Sequence, residues 1–224
     1  MLIIGKRGFT RFGSRLAALG YQALPLEPLP GLNRIVADHA DTLFFDCGEL
    51  LTSREVAELN RLGERVMVSS DCPRGDYPGD IRFNALALGK SVYGRLDALS
   101  PDVKALAERR GMKLVNVRQG YARCSVLPLT DAAITADIGL AAAMRREGVE
   151  VLTIPPGGIM LEGCGYGFIG GASFVDFEKR RAVFFGSLGD SPGEPVRAFC
   201  RAHGFEPVEL PGELTDVGGA VMLR

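Results

Sequence analysis

The chain has 224 residues, of which 46% are hydrophobic and 24% charged, and its 26 Lys and Arg nearly balance its 27 Asp and Glu. This composition is ordinary for a globular protein with a full core. The balanced charge predicts neither a nucleic-acid partner nor a membrane partner. The first apolar stretch ends at Gly5, far short of a signal-peptide core or a membrane span, which predicts a cytoplasmic protein.

Five amphipathic stretches each end in a glycine that is followed at once by a β-type run. They are TRFGSRLAALG (to Gly20), SREVAELNRLG (to Gly63), SPDVKALAERRG (to Gly111), ADIGLAAAMRREG (to Gly148) and DSPGEPVRAFCRAHG (to Gly204). A glycine favours the left-handed backbone that closes many helices. We therefore predict five helices, of which the first is weakest because Gly13 interrupts it. The glycines are 43, 48, 37 and 56 residues apart, a spacing that indicates an internal repeat.

A second apolar run follows each helix and its strand. These runs are HADTLFFD from His39, DIRFNALAL from Asp80, YARCSVLPL from Tyr121, YGFIGGASFV from Tyr166 and TDVGGAVML from Thr215. A third short strand, such as AAIT at 132–135 or RAVFFG at 181–186, leads into the next helix. Each unit thus reads strand, helix, strand, strand. This pattern predicts an α/β protein with one small mixed sheet per unit, in a single domain over 1–224.

Five such units resemble the pentein or β/α-propeller fold of the guanidino-group-modifying enzymes. The resemblance implies five units around a pseudo-fivefold axis, with the first and last units adjacent. More narrowly, the motifs GDYPGDIRFNA, RQGYARCSV, GFIGGAS and LTDVGG resemble those of an uncharacterised bacterial family of pentein-like proteins. That family implies a fold and no established activity.

The pentein hydrolases use a cysteine to attack the guanidinium carbon, a histidine to move protons and carboxylates to hold the cation. HADTLF from His39 is similar to their H-x-D motif, GYARCS to their nucleophile turn, and Glu162-Gly163 to part of their carboxylate motif. The resemblance implies Cys124 as nucleophile, His39 as acid and base, and Asp41 with Glu162 as cation holders. The residues alone leave simpler roles open: His39 as a loop residue that caps a strand, and Cys124 as a buried thiol.

Charged residues flank the second strands, whose first residues should converge on the mouth of a central channel. We expect five of them to form a pocket for a small polar or cationic ligand, while the apolar far halves of the strands close the other end. These five are Asp80, Arg82, Arg118, Arg123 and Asp216. The alternative is that they are surface charges and turn formers. On the first reading, Asp80→Ala or Asp216→Ala should weaken ligand binding without unfolding the protein.

The sequence predicts no cofactor and no metal. Gly165, Gly167 and Gly170 match the letters of a dinucleotide fingerprint, but the run after them reads as a strand, and the fingerprint must open a helix. The pairs Gly170-Gly171 and Gly218-Gly219 instead predict close approach of strands around an axis. The five cysteines are at least 25 residues apart, which suits neither a metal site nor a disulfide framework and favours buried thiols for most of them.

Two hypotheses of function follow. The first is an amidino-group hydrolase or amidinotransferase that acts on a small molecule. The second is a non-catalytic pentein-like protein that binds a ligand or a macromolecular partner, as the ribosome-associated translation factor of this fold does. An activated Cys124 should be alkylated faster than the other four cysteines. The sequence leaves the oligomeric state open.

Overall fold

The computed structural model describes residues 1–190 and 193–223, and strands within them form five three-stranded sheets. Each sheet has an inner strand beside the central axis, a middle strand and an outer strand. In that order the sheets are β15 (Ala220–Met222), β1 (Leu2–Gly5) and β2 (Ala23–Leu26); β3 (Phe44–Asp46), β4 (Leu50–Ser53) and β5 (Met67–Ser69); β6 (Leu86–Leu88), β7 (Ser91–Gly94) and β8 (Lys113–Asn116); β9 (Val126–Pro128), β10 (Ala132–Thr135) and β11 (Glu150–Thr153); and β12 (Ser173–Asp176), β13 (Arg181–Phe184) and β14 (Glu206–Glu209).

In every sheet the middle strand pairs antiparallel with the inner strand and parallel with the outer strand. The chain passes from a middle strand through a helix to the outer strand, and then crosses to the inner strand of the next sheet. The last strand, β15, pairs with β1, with Val221 opposite Ile3, so the end of the chain completes the first sheet. The predicted ring of five units is confirmed. Each sequence unit begins at a middle strand and ends at the inner strand of the next sheet, so the sequence units and the sheets are offset by one strand.

Six helices lie within the described residues: α1 (Lys6–Ala18), α2 (Ala40–Leu43), α3 (Arg54–Leu59), α4 (Pro101–Arg109), α5 (Ile138–Arg146) and α6 (Gly193–Ala202). All except the one-turn α2 were predicted. The side chains of Ser53, Ser100 and Asp137 cap α3, α4 and α5 by accepting a hydrogen bond from a first-turn N–H. The five long helices place apolar side chains in five separate buried clusters.

One helix ends differently from the prediction. Gly20, Gly111, Gly148 and Gly204 have positive φ and close their helices as expected, but α3 closes on Arg61, with φ 52°, two residues before Gly63. The Leu62 N–H then donates to the Ala57 carbonyl, the bond that follows the closing residue in the other units as well. A non-glycine residue in this region is strained by about 1 kcal/mol. The predicted end of this helix was wrong, because the apolar periodicity and the later glycine together indicated an end two residues further on.

The second strands begin later than predicted. His39 precedes the helical turn α2, because its carbonyl accepts hydrogen bonds from the N–H groups of Thr42 and Leu43, and β3 starts only at Phe44. Asp80 lies in a 3₁₀ turn, Gly79–Ile81, before β6. The polar residues therefore occupy turns before the inner strands, where a side chain can point along the axis.

Three further observations bear on the sequence predictions. Within the described residues no helix is long and apolar enough to cross a membrane. Nor do any three His, Cys, Asp or Glu side chains there form a group suited to a metal ion. Cys124 and Cys200 are buried, but Cys47 and Cys72 are half-buried and Cys164 is exposed, so burial of most cysteines was wrong.

Candidate functional site

One structural position recurs in all five units around the axis. Two residues before the first residue of each inner strand stand Thr42, Asn84, Cys124, Gly171 and Gly218. The three that carry polar side chains touch one another: Asn84 Nδ2 lies 2.9 Å from Cys124 Sγ and 3.2 Å from Thr42 Oγ1, and Thr42 Oγ1 lies 3.5 Å from the same sulfur. Cys124 thus sits in a polar ring at the centre of the fold.

The orientation of the Asn84 amide follows from its other contact. Its Oδ1 accepts the Arg123 backbone N–H at 2.8 Å, which leaves Nδ2 as the group that faces the sulfur. An N–H donor stabilises a thiolate more than a thiol, because a hydrogen bond to the charged form is stronger. Asn84 is therefore placed to stabilise Cys124 in its nucleophilic state.

The two glycines of the ring make room for two other side chains. A Cβ on Gly218 would lie 2.3 Å from the Cγ of His39, and a Cβ on Gly171 would lie 2.1 Å from Oδ1 of Asp216. A Cβ on Gly170 would meet three backbone oxygens within 2.6 Å. The predicted close approach at both glycine pairs is confirmed, and it brings an imidazole and a carboxylate into the ring.

His39 is held at the N-terminus of α2 and is only 3% exposed. The Asp41 N–H donates to the Gly218 carbonyl at 2.9 Å, which ties this turn to the glycine pair before β15. Burial lowers the pKa of His39 although the charges of Asp216 and Asp38 act in the opposite direction. The imidazole is therefore neutral near pH 7 and able to accept a proton.

Two buried carboxylates face the same space. Asp216 accepts hydrogen bonds from the N–H groups of Phe168 at 2.8 Å and Gly218 at 2.9 Å, yet burial raises its pKa to about 6. One oxygen of Asp80 accepts the Tyr121 hydroxyl, while the other is buried without a hydrogen-bond partner, and burial raises the pKa of this carboxyl too. An unsatisfied buried carboxylate oxygen is costly, and a cationic ligand would remove that cost.

Cys124 is a thiol in the ligand-free protein. It is 3% exposed, and burial, followed by the charges of Asp41 and Asp216, raises its pKa well above the ordinary value. The contact with Thr42 acts in the opposite direction and is outweighed. The sulfur therefore needs a nearby positive charge to become a thiolate at neutral pH.

This reverses the alkylation order expected from the sequence. Without ligand, iodoacetamide should alkylate the exposed Cys164 at least about tenfold faster than Cys124 near pH 7, since only the thiolate reacts. The Cys124 rate should then rise with pH throughout the alkaline range, because its pKa is raised. Timed labelling followed by peptide mapping measures both rates. Rapid neutral-pH labelling of Cys124 would contradict this assignment of its protonation state.

A pocket of about 430 Å³ collects these groups at one end of the channel. Of the residues proposed from the sequence, four line it: His39, Asp80, Cys124 and Asp216. Asp41 lies beside the ring rather than in the wall: one carboxylate oxygen accepts the Thr42 hydroxyl at 3.3 Å, and the other is buried without a partner.

The structure places the other four candidates away from this pocket. Glu162 and Arg118 are exposed and do not line it. Arg82 forms an ion pair with Asp71, and Arg123 lines a larger cavity of about 900 Å³ around the far ends of the inner strands. The expected arrangement therefore needs correction: the far end of the channel is open, and Arg123 belongs to that end because its side chain points opposite to that of Cys124.

Sequence reasoning missed several residues of the site. Thr42 lies in the HADTLF run and Asn84 in the GDYPGDIRFNA motif, but neither was proposed as a site residue. Counting two residues back from each inner strand would have found them. The pocket also has a wall of aromatic rings. The ring centroid of Tyr77 lies 5.7 Å from that of Tyr121, and the centroid of Phe168 lies 6.4 Å from those of both Tyr121 and Tyr166. The sequence scatters these rings over three loops, and no periodicity links them.

Solved structures with the same fold include three of dimethylarginine dimethylaminohydrolase, each covering 94% of this chain and 91% of the other. They are an adduct with 4-chloro-2-hydroxymethylpyridine (11% identity, TM-score 0.54), a histidine-to-glycine variant as an adduct with S-methyl-L-thiocitrulline (12%, 0.56), and a cysteine-to-serine mutant of the Pseudomonas aeruginosa enzyme complexed with citrulline (12%, 0.53).

At this identity the likeness establishes the fold, which is that of the penteins. A search of the curated proteins gave no match. The sequence matches the model of a family of unknown function, DUF6873, over residues 3–221, which is nearly the whole ring. The chain therefore belongs to this uncharacterised family of pentein fold.

Proposed function

We propose that the protein is a cysteine-dependent hydrolase or transferase that acts on the amidinium or guanidinium carbon of a small cation. The observation that carries this proposal is one pocket lined by a thiol, a neutral imidazole and two buried carboxylates, namely Cys124, His39, Asp80 and Asp216. The fold shared with dimethylarginine dimethylaminohydrolase, whose name records a guanidino substrate, also supports it. The cytoplasmic location stays a prediction.

The carboxylates explain how the thiol is activated. Burial and the charges of Asp41 and Asp216 raise the pKa of Cys124, and a cation bound against Asp216 and Asp80 offsets the part that is due to negative charge. The thiol proton can then pass to His39, while the Asn84 N–H stabilises the thiolate. Binding of the correct ligand and formation of the nucleophile are in this way coupled, so that the free protein carries an unreactive thiol.

The reaction then proceeds in two steps. The Cys124 thiolate attacks the guanidinium carbon, and the C=N π electrons move to nitrogen. The leaving amine takes the proton from His39 and departs with the C–N bonding pair, which leaves an amidino group on sulfur. A water molecule gives a proton to His39 and attacks the same carbon as hydroxide. The C–S bonding pair returns to sulfur, which takes the proton from His39, and a urea is released as the new hydroxyl group loses its proton to solvent. In a transferase an amine replaces the water.

The test of this proposal is turnover together with a trapped intermediate. The purified protein is incubated with a panel of alkylguanidines and amidines, and release of ammonia or amine is measured. Acid quenching and peptide mapping then look for an added amidino group on Cys124. Tight binding with neither turnover nor an adduct would favour the alternative, a non-catalytic binding protein, and would contradict the proposal.

Ligand affinity should depend on the ionisation of Asp216. Its pKa is raised to about 6, so below that pH the carboxyl is protonated and loses its attraction for a cation. Calorimetric affinity of Cys124→Ser protein for butylguanidine should rise by about tenfold per pH unit up to about pH 6 and then level off.

Asparagine is the closest replacement in shape for the control of this pH dependence. Its amide oxygen can accept only one of the two N–H groups that Asp216 holds, so thermal unfolding of the variant is measured first. Asp216→Ala would strand the Phe168 and Gly218 N–H groups and destabilise the fold, contrary to the expectation from the sequence. Asp216→Asn should remove most of the pH step, whereas Asp76→Asn, which changes an exposed carboxylate in the same pocket, should retain it. Affinity that is constant across this range would rule out Asp216 as a cation holder.

A further inference from the structure

The charges that line the pocket are of one sign. Asp76, Asp80 and Asp216 contribute three carboxylates, and none of the described residues that line the pocket is Arg or Lys. Asp76 is exposed and close enough to Asp80 for its charge to act on that carboxyl. Negative charge therefore extends from the buried end of the pocket to its mouth.

Two of the cations near the mouth form ion pairs with other side chains, and a third lies outside the pocket lining. Arg7 pairs with Asp38 and donates to the Ile35 carbonyl, and Arg95 pairs with Asp97 and donates to the Tyr77 hydroxyl. Arg34 lies between two residues that line the pocket, but its own side chain is exposed and outside the lining. A carboxylate on the ligand would meet like charge rather than a guanidinium.

The rest of the wall suits a cation with an apolar tail. Four aromatic rings, those of Tyr77, Tyr121, Phe168 and Tyr166, follow one another along the wall, and the two at its ends are more exposed than the two between them. Tyr166 is 49% exposed, so its ring is accessible to a ligand, whereas the Arg95 guanidinium already lies over the Tyr77 ring, 5.4 Å from its centroid. A cation over such a ring is attracted by the negative face of the ring, and methylene groups pack on the same surface.

We propose that the substrate is a guanidinium or amidinium compound whose tail carries no carboxylate, and that Asp76 together with Asp80 and Asp216 rejects free amino acids. This inference rests on the proposed function and specifies its substrate class. The cationic head of this substrate binds between the buried carboxylates, and its alkyl or amine-bearing tail packs along the aromatic wall. Compounds that differ only in the charge of a carboxyl group should therefore differ markedly in affinity for the pocket.

Three probes isolate that charge. Agmatine is arginine without its carboxylate, and L-argininamide has the size of arginine with the carboxylate made neutral. Calorimetry on Cys124→Ser protein should give at least about tenfold tighter binding for agmatine and argininamide than for L-arginine, and kcat/KM of the wild type should follow the same order. Equal affinity for all three, or rejection of argininamide together with arginine, would overturn the inference.

Charge-reversal variants identify the residue responsible. Asp76→Lys should lower the ratio of agmatine affinity to arginine affinity several-fold. Glu178→Lys makes the same charge change at the opposite cavity and should leave this ratio unchanged. Arg34→Ala should also leave arginine affinity unchanged. Loss of arginine affinity in Arg34→Ala would reveal a carboxylate site and refute the inference. If none of the three probes binds while butylguanidine does, the inference fails and the proposed function stands; if no guanidine or amidine of the panel binds or reacts, the proposed function itself fails.

Discussion

Replacing Cys124 by serine should lower kcat for a guanidinium substrate by on the order of 10⁴-fold or more, as expected when a covalent nucleophile is lost. The hydroxyl has nearly the size of the thiol and keeps a hydrogen bond to Asn84, so the fold and ligand affinity should be preserved. Steady-state turnover and calorimetry on the same preparation separate the two effects.

Cys164→Ser is the matched control for that variant. Cys164 lines the same pocket and is exposed, and the chemical change is identical, so kcat should stay within about twofold of the wild type. A Cys124→Ser protein with undiminished turnover would show that the reaction does not pass through this sulfur.

Gly218→Ala should lower the free energy of unfolding by about 3 kcal/mol or more. The residue has φ 78°, which costs an alanine about 1–2 kcal/mol. Its Cβ would also lie 2.4 Å from the Cα of His39, a backbone atom that cannot move aside without shifting α2. Chemical denaturation measures the loss, and His39 should be displaced in whatever protein still folds.

Gly148→Ala provides the comparison for the crowding. Gly148 has φ 83°, nearly the same conformation, but a Cβ there meets no atom within 4 Å. Its cost should be limited to the conformational strain of about 1–2 kcal/mol. Equal losses in the two variants would mean that the contact between His39 and the glycine backbone does not constrain the site.

The sequence by itself determined the fold. Each unit carries its own local signals: an amphipathic stretch, a capping residue such as Ser53 or Ser100, and a closing glycine such as Gly148. Because these signals act over a few residues and recur five times, the number and order of the elements follow from them. Charged residues just before buried strands marked Asp80 and Asp216, whereas Cys124 and His39 were implied by the resemblance to the motifs of pentein hydrolases.

Only the tertiary structure decided which of these residues meet. Arg123 and Cys124 are neighbours in the chain but line opposite ends of the channel, because consecutive residues in a turn point in different directions. Asn84 lies within the GDYPGDIRFNA motif, but only its place in the ring shows that it contacts Cys124. The pKa of Cys124 depends on carboxylates that are 83 and 92 residues away in sequence. Burial and charge act through space, so a local pattern cannot reveal them.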